Sequence, residues 1–109
     1  MAYAADLAER VRDAISLREG LSEREMFGGI TFMLGGNMAC GVIGDELIVR
    51  LSPEEAERAL AEPHTRRFDF TGRPMKNWVC VAPEGLGSDD ELAGWVDAGA
   101  GFAASLPAK

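Results

Sequence analysis

Residues 26–44, MFGGITFMLGGNMACGVIG, run for nineteen positions without a charge in a chain that is 27% charged. The length suits a membrane helix, but the composition does not. Six of the nineteen are glycine, each costing a helix about 1 kcal/mol against alanine, and Asn37 sits in the middle. A phosphate cradle fits no better. Neither G-x-x-x-x-G-K-[ST] nor G-x-G-x-x-G occurs, and neither Gly-Gly pair opens a helix N-terminus where an anion would be held. Adjoining strands of a covered sheet account for the run. Residues 30–34 place Ile30, Phe32 and Leu34 on one face, and Gly35, Gly36 and Asn37 supply turn chemistry. Residues 38–43 return with Met38, Cys40 and Val42 on one face, and Gly44-Asp45 signals a two-residue hairpin into a third strand, ELIVRL. Gly41 inside the second strand marks a bulge or a close backbone approach.

The flanks read as helices and a second strand pair. Tyr3, Leu7, Val11 and Ile15 recur at helical spacing over 3–19, with Gly20 as a C-cap. Ser52-Pro53-Glu54-Glu55 is a capping box with proline at the first helical position, and Pro63 closes that short helix. Residues 66–70 alternate, Thr71-Gly72-Arg73-Pro74 turns, and 77–82 form a fifth strand. Ser88-Asp89-Asp90-Glu91 is a second capping box, opening a helix that carries Leu92, Trp95, Val96, Phe102 and Leu106. Gly94, Gly99 and Gly101 weaken this helix, so close packing must compensate. The predicted order is α-β-β-β-α-β-β-α. Tight turns make neighbouring strands antiparallel, so the fold class is α+β: a two-layer sandwich with helices on one face of the sheet.

The 109 residues read as one domain spanning 1–109, with no second domain and no linker. The net charge of -7 opposes tight binding of duplex DNA or an anionic membrane by bulk electrostatics. Cys40 and Cys80 form no C-x-x-C, and they are expected to be buried free thiols in a cytoplasmic protein. The N-terminal residues lack the apolar stretch of a signal peptide. No cofactor is expected. The one histidine, His64, falls in a predicted loop, and no nucleophile–base or metal-ligand spacing appears, so the chain reads as non-enzymatic. Asp89, Asp90 and Glu91 suit a helix N-terminus better than a metal.

One segment opposes the global charge. Arg66, Arg67, Arg73 and Lys76 lie close together in sequence, Trp78 follows, and Arg50 precedes them in the third predicted strand. Three readings stay open for these candidate binding residues: pairing with surface acids, a protein-binding surface, and a nucleic-acid contact with Trp78 stacking. A small-molecule site or minor enzyme using Arg50, Arg73, Lys76 and Trp78 is the alternative function. An apolar outer sheet face is also predicted, with Met33, Ile43, Val79 and Val81 as candidate interface residues for a homodimer.

Several strings together resemble one family. They are EMFGG at 25–29, GNMACGV at 36–42, Val49-Arg50, DFTGRPMKNWV at 69–79, and Trp95 followed by FAASLPAK at the end. In this order they resemble the N-terminal domain of the TfoX/Sxy bacterial competence regulators over roughly residues 24–109. The resemblance implies a fold like the secretion-chaperone class and no established catalytic residues. It also implies a transcriptional co-regulator that works with the cyclic-AMP receptor protein. Longer members carry a further C-terminal domain. The expected function is a small regulatory or interaction module acting through protein partners.

Overall fold

A computed structural model describes residues 4–16, 18–26, 28–70 and 73–107; for residues 26, 69, 70 and 73–76 it describes the backbone alone. The chain runs α1 (Ala5–Ile15), β1 (Leu21–Met26), β2 (Gly29–Leu34), β3 (Asn37–Ile43), β4 (Glu46–Arg50), α2 (Pro53–Ala59), β5 (Thr65–Phe70), β6 (Arg73–Val81), a short 3-10 helix (Pro83–Leu86) and α3 (Asp89–Ala104). The six strands form one antiparallel sheet in the order β1-β2-β3-β4-β6-β5. The helices pack on one face, which gives the two-layer α+β sandwich.

The uncharged run forms β2, β3 and the turns that bound them. Gly35 and Gly36 both take positive φ, +58° and +83°, between the paired residues Leu34 and Asn37. That is the sign pattern of a type I′ turn, which twists with its strands. Gly44 also has positive φ, +59°, opposite Ile43 paired with Glu46, while Asp45 does not. The predicted tight hairpin is therefore present, with the sign pattern of type II′.

Both capping boxes form. Glu55 N–H donates to Ser52 Oγ at 3.2 Å, and Glu91 N–H donates to Ser88 Oγ at 3.1 Å. They start α2 and α3 at the expected residues. Helix α1 is shorter than its periodicity suggested and ends at Ile15, so Gly20 (φ +76°) serves the turn into β1 rather than a helix cap. The predicted turn at 71–74 differs as well: β6 begins at Arg73, and Thr71 and Gly72 lie outside the described residues.

The sequence reading omitted β1. Its segment, LSEREM, pairs residue by residue with β2, from Leu21 opposite Leu34 to Met26 opposite Gly29. It is an edge strand, and charge on an edge discourages pairing with other chains. Arg12 of α1 ties it down with two bonds to Glu23, at 2.7 and 2.9 Å.

The main core lies between sheet and helices. Phe32, Val42, Leu47, Val49, Val79 and Val81 from the sheet meet Val11 and Ile15 of α1, Ala56 of α2 and Val96 of α3. Contact between α3 and β3 is close at one point. The pairing of β2 with β3 shifts between Phe32–Cys40 and Met33–Met38, leaving Ala39 as an extra, bulged residue. Gly99 of α3 sits over it so tightly that a Cβ there would stand 2.4 Å from the Ala39 carbonyl oxygen. The close packing expected to compensate the helix glycines is thus present at Gly99. At Gly94 and Gly101 a Cβ would meet nothing within 4 Å.

Candidate interaction surfaces

The outer face of the sheet follows from strand alternation. Phe32 and Leu34 point to the helices, so Thr31 and Met33 point away. The pairings of Ile48 with Cys80 and of Gly41 with Ile48 align outward residues across β3, β4 and β6. A second, smaller cluster forms there from Ile48, Phe68, Trp78 and Cys80, with Met38 and Ile43 packed on it. Phe68 and Trp78 meet edge-on, with centroids 6.2 Å apart and planes at 60°, a favoured geometry for aromatic quadrupoles. Thr31 and Gly41 keep the neighbouring strip low. Thr31 Oγ1 donates to the Arg24 carbonyl at 2.8 Å, and a Cβ on Gly41 would meet the Ile30 carbonyl oxygen at 2.7 Å.

Two of the four predicted interface residues lie on this face. Met33 and Ile43 are there and half-buried. Val79 and Val81 are not. Both are fully buried in the helix-side core, because Val79 pairs with Val49 and Val81 with Leu47. In β6 the outward positions belong to Trp78 and Cys80. The run WVCV is apolar on both faces, so composition alone does not show its phase.

Among the described side chains, the basic candidates do not converge on one site. Arg66 binds Glu46 at 2.6 Å, and Arg67 binds Glu57 of α2 at 2.6 Å. Arg67 pairs with Val79, so it belongs to the helix side of β5, whereas Arg66 pairs with Cys80 on the outer side. The guanidinium of Arg50 lies over the Phe102 ring, 5.5 Å from its centroid, and donates to the Met38 carbonyl at 3.5 Å. Trp78 is only 6% exposed, too enclosed to serve as an open stacking platform. The side chains of Arg73 and Lys76 lie outside the described residues.

The remaining chemical groups are occupied structurally. Cys40 is buried in the helix-side core, where desolvation pushes its thiol up to about 12. It stays protonated and inert at neutral pH. Cys80 is also buried and in no disulfide. His64 takes positive φ, 66°, in the turn before β5, and its carbonyl accepts from Ala82 N–H at 2.8 Å. That bond pins the loop to the end of β6. Asp89 reaches Arg10 at 3.4 Å, and Glu91 serves the α3 capping box. Among the described residues no group of three or more His, Cys, Asp or Glu side chains gathers as a metal site. No helix among them is long and apolar enough to cross a membrane.

These features define a two-layer α+β domain in which one sheet face is roofed by helices and the other carries a small apolar cluster. The chain belongs to the TfoX N-terminal domain family, which matches residues 13–103. No curated protein and no solved structure matched the chain.

Proposed function

We propose that the chain is a non-enzymatic interaction module of bacterial transcription regulation, working in the cytoplasm through protein contacts. Family membership supports the class. The observation that carries the interaction reading is the outer sheet face, where half-buried Met38 and Ile43 pack on a dry apolar cluster and half-buried Met33 pairs with Met38 beside it. An apolar surface of this kind is a place for a protein partner, and a second copy of the chain is the occupant we assign to it. The cyclic-AMP receptor protein or another part of the transcription machinery is the proposed regulatory partner, on the resemblance alone. Duplex DNA is not the proposed ligand. The net charge is -7, and Arg66 and Arg67 are held by carboxylates.

Sedimentation velocity at micromolar concentration tests the self-association. The expected particle has about twice the 11.7 kDa chain mass. Met33→Glu should return it to a monomer with an unchanged circular dichroism spectrum. A wild-type monomer throughout that range overturns the pairing. A gel shift showing sub-micromolar, salt-sensitive duplex binding would overturn the charge argument.

A further inference from the structure

The helix layer carries a surface of different chemistry. Two adjoining clefts, of about 430 and 390 Å³, open beside α2 and α3 and share Glu62, Trp95 and Ala98 as lining. Their apolar lining is Trp95 and Ala98, with Leu51 and Ala59 in one cleft and Pro63 in the other. Trp95 is half-buried, packed against the core on one side and open to the clefts on the other. Gly94 and Ala98 beside it are small and leave part of the ring facing the clefts. A Cβ at Gly94 would meet nothing within 4 Å, so no close packing among the described residues accounts for that helix glycine.

The walls are acidic. Glu55 and Glu62 line one cleft and Glu62, Asp90 and Glu91 the other, while among the described residues Arg58 is the only arginine or lysine in either lining. Glu55 and Glu91 are held in place by the capping boxes. Among the described residues Glu62 and Asp90 make no salt bridge. An indole face beside unpaired carboxylates favours a planar cation, since the ring quadrupole and the carboxylates attract the same charge.

We propose that these clefts form one docking trough for a basic segment of a partner protein, which lays an arginine side chain against Trp95 beside Glu62. Charge complementarity names the occupant: four carboxylates against one guanidinium select a cationic peptide over an acidic or neutral one. The trough lies on the opposite layer from the outer sheet face. It can fail while self-pairing stands, and the reverse.

The probe is a short capped peptide of alanine and leucine carrying two arginines, with a control in which both are glutamine. Each is titrated into the ¹⁵N-labelled whole chain while the two indole N–H signals are followed. The arginine peptide should shift Trp95 and leave the enclosed Trp78 in place. Its affinity should fall about threefold or more between about 50 and 300 mM salt. The double variant Glu62→Gln, Asp90→Asn should keep the wild-type spectrum elsewhere and bind about tenfold more weakly. Absence of a Trp95 shift at millimolar arginine peptide overturns the proposal. An equal shift from the glutamine peptide, or undiminished binding by the double variant, overturns it as well.

Discussion

The two faces of the sheet stay dry by different means. On the inner face, Phe32, Val42, Leu47, Val49, Val79 and Val81 are fully buried because helices lie over them. On the outer face, Ile48 is equally buried, yet among the described residues no helix residue belongs to its cluster. The shield there is the side chains themselves: Phe68 and Trp78 from β5 and β6, with Met38 and Ile43 at the margin. This works only where large residues are concentrated. Across β2 and β3 the outward positions include Thr31 and Gly41, which stay buried because they are small. A roofed face can spread its apolar groups over every strand. A bare face must gather them, and it leaves a half-exposed rim.

The largest test of this difference uses adjacent residues on opposite faces. Phe32→Ala empties the largest fully buried side chain and should cost about 3–5 kcal/mol in urea unfolding. Met33→Ala removes a half-buried rim residue and should cost less than about 1 kcal/mol. Equal losses would mean that the outer face is as tightly packed as the inner one.

A smaller effect separates the two sides of α3. Gly99→Ala drives a methyl group into the bulge at Ala39 and should destabilise by about 1–3 kcal/mol, because α3 must lift off β3. Gly101→Ala points into open space and should stabilise by about 0.5–1 kcal/mol through helix propensity. If Gly99→Ala is neutral, the bulge is not the contact that sets the height of the helix layer.

Much of the fold was legible because it rests on local chemistry. Paired glycines fix a hairpin, and Ser-x-x-Glu fixes a helix start wherever the chain goes next. What was not legible depends on partners. LSEREM has a strand's geometry only because β2 offers it a ladder, and its three charged residues hide it from any propensity argument. The phase of Val79 and Val81 is set by pairing with Val49 and Leu47, which an evenly apolar run does not reveal. The candidate surfaces show the same division. Met33 and Ile43 follow from alternation within their own strands. The basic segment looked like one patch in sequence, but strand alternation sends Arg66 and Arg67 to opposite faces, each to its own carboxylate. The trough beside Trp95 had no sequence signal, since α2 and α3 bring its walls together from distant segments.

The smallest expected effect lies at the edge of the inner face. Glu23 of β1 points toward the helices, opposite Phe32, and Arg12 grips it through Nε and Nη2 while lying 5.9 Å from the Phe32 ring centroid. The Arg12 hydrogen bond holds the Glu23 carboxyl below the ordinary carboxylate range; desolvation pushes it up, and the Arg12 charge adds to the lowering. A folded-state value below the unfolded one means that the pair stabilises the fold above the unfolded carboxylate range. The contribution is lost as pH falls through the folded value. Glu23→Gln should therefore cost up to about 1 kcal/mol at neutral pH, since both partners are about one-third exposed or more and solvent screens them. The gap between wild type and variant should close below about pH 4 and shrink in high salt. On the outer face, Glu46→Gln removes one partner of Arg66 in a similarly open pair and should cost no more. Urea titrations at pH 7 and pH 3 measure both. A Glu23 effect that persists at pH 3 would assign the cost to packing over Phe32 rather than to charge.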